Sequence, residues 1–424
     1  MKPACFISAK AKDNTRKQIL SVLLAFLLLL NSGCRLTRIP VTPSSTASLS
    51  NPTSLPSSTA TNPSPTIPPT PSDTPAPLPS PTPMIFPLPS AVPIETFQHP
   101  MVENVETNQL NGGAWTTYTP QDWPKQFQQT GEFPTITSIA VTSDGTLWFA
   151  TTGGAASIGV GVYRFDGKTW THFRKGNGLP FDEISSMAVA PDGAIWFGTF
   201  CCGVSRFDER SWTDYTIDNG LASNDVRSMA FAPDGALWIG TVNRGASRFD
   251  GKSWQYYTTS NGLWGNYVGR IFILPDNSLL FSSSNDVTAK LTRFDGQNWS
   301  DYPTPWTEAG KYTEDMIATS DGDLWFATEF SGVYQLSENT WFSYSLEDGL
   351  ASDSTLCSAA TPDGSVWFGT WAGISRFDGT RWTTFNSSDT VGNNWVTACA
   401  TAPDGSIWFG YTGGIAHYIP PINP

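Results

Sequence analysis

The sequence is poor in the side chains that most enzymes use for proton transfer and metal binding. Its 424 residues hold three histidines, His99, His172 and His417, too scattered to form a cluster. Cysteine is sparse as well, with six residues whose spacing matches no zinc or redox motif. No G-x-S-x-G, H-E-x-x-H or phosphate-binding glycine loop occurs. Lys and Arg are outnumbered, 24 against 37 acids, and form no basic stripe. Such a surface repels a phosphate backbone, which excludes nucleic acid as a partner. The longest apolar run, Ile19 to Leu30, has twelve residues, short of the roughly 20 that a membrane-spanning helix needs.

That run follows Lys2, Lys10, Lys12, Arg16 and Lys17 and precedes Asn31-Ser32-Gly33-Cys34. Basic start, short apolar segment and small residues make 1–33 a signal peptide. Ser32-Gly33-Cys34 resembles the cleavage site of bacterial lipoproteins, although Asn31 stands where an aliphatic residue is usual. Cys34 is therefore the expected lipid attachment, which places the mature chain across the cytoplasmic membrane and anchors it to the cell envelope. Without 1–33 the net charge is about −17. Residues 34–110 are rich in Pro, Ser and Thr and nearly free of charge over 39–96. They read as a disordered tether, which at about 3.1 Å per residue spans at most roughly 180 Å over those 58 residues.

Residues 111–420 repeat themselves. Asp-Gly turns, or Asp-Asn once, begin at Asp144, Asp192, Asp234, Asp276, Asp321, Asp363 and Asp404, at steps of 48, 42, 42, 45, 42 and 41. Between them runs a second series of W-x-x-aromatic segments at Trp115, Trp170, Trp212, Trp254, Trp299, Trp341 and Trp382. A period in the low forties with four short strands per unit predicts an all-β protein, a seven-bladed β-propeller. In the second unit ISSMAVA is strand A, PDG a turn, AIWFGT strand B, GVSRFD strand C and SWTDYT strand D. Strand B is apolar on both faces, as a strand covered on both sides must be. The last unit stops before its strand D, and GAWTTYT at 113–119 supplies it, so the N-terminal strand closes the ring and leaves no open sheet edge.

The run PDGAIWFGT, GVSRFD and SWTDYTIDNGLASN resembles the two-component-regulator propeller repeat of bacterial hybrid histidine kinase sensors, and more distantly the streptogramin-lyase-like propellers. Blade 4 departs at Asn277 and Leu280, and blade 5 reads QLSEN in place of R-F-D-G. The resemblance implies an extracytoplasmic, ligand-sensing propeller. Streptogramin-lyase-like propellers use a histidine with metal-binding acids on the loop face, a role to which no histidine here maps.

Thirteen of the 18 Trp belong to the two series and read as packing between blades. The repeated Arg of R-F-D, such as Arg206 and Arg248, reads as a stacker or ion-pair partner. Trp123, Trp264, Trp306 and Trp395 lie in D-to-A connections and Trp371 in a B-to-C connection. In a propeller both kinds of connection emerge on one face, whereas the opposite face carries turns too short to shape a pocket. With Phe200, Arg244, Glu329, Phe330 and Tyr411 from the B-to-C loops, these Trp form the candidate ligand-binding set, and Asn224, Asp225, Tyr267, Asn393 and Asn394 lie beside them. Aromatic platforms ringed by acids and amides suit a sugar or peptide. No catalytic residue, metal or cofactor is expected. Of the remaining cysteines, Cys201, Cys202, Cys357 and Cys399, buried thiols or one structural bridge are expected. The vicinal pair is expected to stay open because its bonded geometry is strained.

The expected function is a surface-tethered, non-catalytic, monomeric ligand-binding or sensing propeller for an extracellular glycan, peptide or envelope protein. Two alternatives are a propeller lyase or glycoside hydrolase using loop-face acids, and an envelope assembly scaffold.

Overall fold

Seven small antiparallel sheets stand around a central axis in a computed structural model of the chain. It describes residues 84–87, 95–97, 102–104, 114–119 and 134–420, apart from 154–159, 177, 286–287, 307–311 and 388–392. The chain divides into two units, 1–76 and 77–424. The signal peptide, Cys34, His99 and Trp123 lie outside the described residues. No helix among the described residues is long and apolar enough to cross a membrane.

Blades 1 to 6 span 135–173, 184–215, 226–257, 267–302, 313–344 and 355–385, each holding strands A to D in chain order. Blade 7 takes A, B and C from 396–419 and its strand D from Ala114–Thr119, which pairs antiparallel with Gly414–Ile419 in the register Ile415 to Tyr118 and Ile419 to Ala114. The expected closure is therefore present. Each strand A touches the strand A of the next blade, from blade 1 round to blade 7 and back, so the seven line the axis.

Strand B is buried along nearly its whole length in every blade, in keeping with its unbroken apolar sequence. Its Trp reaches across to the aromatics of the following blade. Trp148 lies 5.7 Å from Phe197, Trp238 lies 5.2 Å from Phe281, Trp325 lies 5.9 Å from Phe368, and Trp408 lies 5.7 Å from Phe149. These tilted and edge-on contacts suit the aromatic quadrupole. The repeated Arg works at the rim of this packing: Arg206, Arg248, Arg293 and Arg376 each pair with the turn Asp of their own blade at 2.7, 2.6, 2.6 and 3.1 Å. Each turn Asp also accepts the backbone N–H two residues on, as in Asp192 with Ala194 at 3.1 Å and Asp404 with Ser406 at 2.9 Å.

Three findings depart from the expectations. First, the stretch read as tether contains strands: Met84–Pro87 pairs with Ser211–Tyr215 of blade 2, Glu95–Phe97 with Trp170–Phe173 of blade 1, and Val102–Asn104 with Ala114–Thr119. The outermost strand of a blade leaves its hydrogen-bonding groups unpaired, and a neighbouring extended segment satisfies them whatever its side chains. Second, Cys201 and Cys202 are bonded to each other. They sit at the tip of a tight turn whose backbone is fixed by Cys202 N–H donating to Thr199 Oγ1 at 2.8 Å and Gly203 N–H donating to Asn224 O at 2.9 Å. The expected single structural bridge is Cys357–Cys399, joining the strands A of blades 6 and 7 with an S–S distance of 2.01 Å. Third, the short-turn face is not featureless. Clefts of about 440 and 460 Å³ lie there between blades 3 and 4, beside Trp238, Arg248 and Asn277, and between blades 4 and 5, beside Arg293 and Tyr302. Twisted sheets diverge, so the gap between blades rather than turn length makes these clefts.

Two tests follow from the closure. Trp115 is fully buried and packs on Trp367, Phe385, Phe409 and Tyr418, so Trp115→Ala should lower unfolding free energy by about 3–5 kcal/mol in urea titration. His417, paired opposite Thr116 and stacked 3.9 Å from Trp408, is held by burial at a pKa of about 4, with Asp404 opposing the shift. Its contribution to stability is present above the unfolded pKa of 6.5 and lost as pH falls towards 4. Urea midpoints between pH 7.5 and 4.5 should fall less steeply for His417→Gln than for the parent.

Candidate functional site

The B-to-C turns of blades 2, 3, 5 and 6 are tied down by a repeated set of bonds. Thr199, Thr241, Thr328 and Thr370 end strand B fully buried, and each donates its Oγ1–H to the carbonyl of the glycine that closes the turn, at 2.9, 2.8, 2.8 and 2.9 Å. Those glycines hold the left-handed region, as in Gly245 at φ 74° and Gly332 at φ 74°. A Cβ at either would strike the carbonyl that ends strand D of the same blade. The glycine N–H groups then donate to the entry of the next blade: Gly203 to Asn224 O at 2.9 Å, Gly245 to Asn266 O at 2.8 Å, Gly332 to Asp353 O at 2.7 Å.

Every strand A carries a bulge just inside this face. The extra residues are Thr137, Ser185, Arg227, Gly269, Glu314, Leu356 and Thr397. A bulge re-aims a side chain at the end of a ladder, and seven of them around the axis make a ring at the channel mouth. Thr137 Oγ1 donates to Ile184 O at 2.7 Å and Thr397 Oγ1 to Ile136 O at 2.5 Å, tying each blade to the next. In blades 3 and 5 the ring residue is charged, and in blade 4 Arg270 follows directly on Gly269.

An arc of contacts runs from blade 2 to blade 6. The Arg227 guanidinium lies 4.9 Å over the Phe200 ring and 3.9 Å from Asp225, whose carboxyl burial pushes above its ordinary range. Arg270 donates to Glu314 O at 2.6 Å and pairs with its carboxylate at 3.4 Å. Tyr267 sits within the field of Arg227, Glu314, Arg270 and Tyr312, and burial raises its hydroxyl. Tyr312 meets Tyr267 edge-on at 6.3 Å and accepts the Glu329 N–H at 3.0 Å. Burial, with the Glu314 carboxylate adding to it, lifts Glu329 to about 7. Phe330, 53 % exposed with φ 62°, meets Trp371 edge-on at 5.4 Å. Beneath the mouth, Asp315 accepts Ser358 N–H at 2.6 Å and Ser358 Oγ–H at 3.0 Å, joining blades 5 and 6, and burial raises its carboxyl.

Of the residues singled out in the sequence, Phe200, Asp225, Tyr267, Glu329, Phe330 and Trp371 are on this arc. The others are not. Trp306 is buried at 7 % exposure, 4.6 Å from Tyr334 and 5.5 Å from Trp341. In four other D-to-A connections the sequence is N-G-L or D-G-L and the Leu is buried between blades, at Leu179, Leu221, Leu263 and Leu350. The connection at 303–312 has no such Leu, and Trp306 fills the space. Tyr411, 3 % exposed, belongs to the core around Trp115. Trp264 is half-buried beneath Lys290, whose Nζ is 3.6 Å from its ring. Arg244 is exposed at its own loop tip, and Trp395 is half-buried behind Asn393, which accepts its backbone N–H at 2.9 Å. Asn224 and Asn394 accept Ile217 N–H at 2.9 Å and Ser387 N–H at 2.6 Å, which makes them loop staples. Arg227, Arg270, Glu314 and Tyr312 were missed. The available signal was a charge inside the apolar strands VRSMAF, YVGRIFI and TEDMIA.

The family model for the two component regulator propeller matches residues 131–153, 178–200 and 220–243, which are the A and B strands of blades 1 to 3. Among solved structures the propeller is similar to a streptogramin B lyase, at 17 % identity and TM-score 0.57 over 72 % of this chain and 97 % of that one. It is similar to virginiamycin B lyase from Staphylococcus aureus, at 16 % identity and TM-score 0.56 over 73 % and 99 %. It is also similar to the extracellular domain of a hybrid two component system from B. thetaiotaomicron, at 19 % identity and TM-score 0.55, over 68 % of this chain but only 40 % of that one. At these identities the likeness establishes the propeller fold. No curated protein matches the chain.

Because Trp306 fills the joint between blades 4 and 5 and is remote from the arc, Trp306→Ala should cost about 3–5 kcal/mol. The fluorescence-detected melt should drop accordingly, while any ligand captured at the arc keeps its affinity at temperatures where the variant is folded.

Proposed function

We propose that this propeller is an extracytoplasmic, non-catalytic binding or sensing module whose ligand docks at the channel mouth on the loop face. The ligand is a glycan, a peptide or an envelope protein, and Cys34 carries the lipid that holds a monomer at the membrane. The observation that carries this reading is the Phe330–Trp371 pair, two aromatic rings set edge-on across adjacent blades, with Phe330 more than half exposed. Exposing large apolar rings at the tips of rigid turns destabilises a folded chain slightly and favours contact with a partner. The likeness to the extracellular domain of a hybrid two component system supports the same reading.

A second reading, hydrolysis by paired carboxylates, is favoured by Glu329, whose pKa of about 7 beside Glu314 suits a proton donor at neutral pH. Under that reading Glu329→Gln abolishes turnover and leaves binding intact.

A glycan and peptide array probed with the full chain tests the proposal. Trp371→Ala and Phe330→Ala should each weaken capture at least tenfold, whereas Trp264→Ala, away from the mouth, should leave it unchanged. Capture that ignores both mouth substitutions would rule the loop face out. Detergent partition of the parent but not of Cys34→Ala checks the anchor.

A further inference from the structure

We infer that the loop-face site recognises an organic cation, an ammonium or guanidinium group held between the Glu329 carboxylate and the Phe330–Trp371 rings; this rests on the loop face being the binding face. The position after the last Thr of strand B is Phe200 in blade 2, Val242 in blade 3 and Trp371 in blade 6. Blade 5 alone places a carboxylate there. Glu329 is half-buried and makes no ion pair among the described residues. Among the described residues, Arg270 is committed to the side chain and carbonyl of Glu314, and Arg227 to Asp225 and the Phe200 ring. Leu356 occupies the bulge of the neighbouring blade, so that ring position supplies no cation. A half-buried carboxylate without a counter-ion is unfavourable in the free protein and becomes favourable when a ligand supplies the charge.

The next residue reinforces this. Phe330 adopts φ 62°, a left-handed conformation rare for a bulky residue. Glycine would relieve it, as glycine does two positions on at Gly332. Strain of this kind at a loop tip belongs to sites where a side chain must be presented in one direction. The Phe330 and Trp371 rings stand at 83° to each other, forming a corner of two π-systems whose negative faces attract a cation. The corner is preorganised by the Glu329 N–H bond to Tyr312 O, the Thr328 N–H bond to Thr355 Oγ1 at 2.8 Å and the Trp371 N–H bond to Ser354 O at 3.1 Å.

The test is calorimetric titration of the full chain with acetyl-Ala-Lys-Ala-amide, its Nε-acetylated twin, and n-butylammonium. The lysine peptide should bind and the acetylated twin at least tenfold more weakly. Glu329→Gln and Trp371→Ala should each weaken the lysine peptide at least tenfold with unchanged circular dichroism and melting. Butylammonium binding as tightly as the peptide assigns the site to free amines, and much weaker binding assigns it to basic side chains; both support the inference. Equal binding of the acetylated twin, indifference to Glu329→Gln, or no binding of any cation at millimolar concentration would overturn it. Glycan or peptide capture that needs Trp371 but not Glu329 would overturn the cation and leave the loop-face reading standing. Capture that needs neither would remove both.

Discussion

No blade of this protein can bury its own apolar faces. A four-stranded sheet with strand B apolar on both sides has to be covered by the sheet before it and the sheet after it, and the strand-B Trp is the contact that joins them. Trp148, Trp196, Trp238, Trp325, Trp367 and Trp408 all reach aromatic rings of the following blade. Since each sheet depends on two others, the set is stable only as a closed circle, and the last contact made is as important as the first. The strand Ala114–Thr119 makes it, carrying Trp115 into the core between blades 6 and 7. Where the repeat lapses, at Leu280, the joint is kept by a different aromatic, Trp306, delivered from a loop.

The two faces of the ring divide the acids between stability and recognition. On the short-turn face each turn Asp accepts from the backbone of its own turn and, in blades 2, 3, 4 and 6, also pairs with the Arg of strand C. No group of three or more His, Cys, Asp or Glu side chains that could hold a metal ion occurs among the described residues. On the loop face the same chemistry is left incomplete. Glu314 has Arg270 and Asp225 has Arg227, whereas Glu329 makes no ion pair among the described residues. The rigid turns that carry these residues owe their shape to buried Thr hydroxyls and left-handed glycines, so that the mouth is built on the scaffold's own repeating bonds.

Parts of the site were legible in the residues and parts were not. Glu329, Phe330, Trp371 and Phe200 stood out because a short B-to-C loop has no core to fill, so an aromatic or acid there faces outward. Trp306 and Tyr411 carried the same signal and went the other way: one replaces a missing Leu between blades, the other ends a strand whose side chain turns into the core. Arg227, Arg270 and Glu314 were hidden by lying in strands, where alternation predicts which sheet face a side chain takes but not that a bulge falls at Arg227 and Glu314 and directly before Arg270.

The sequence by itself determined the number of blades, the turn chemistry and the strand that closes the ring, because all three are periodic and a period survives in one dimension. Only the tertiary structure decided which charges meet at the mouth, that Cys201 joins Cys202, and that segments at 84–104 lie along the edges of blades 1, 2 and 7. These depend on distances between residues far apart in the chain, or on backbone groups left unpaired at a rim, and neither has a signature in the order of the side chains.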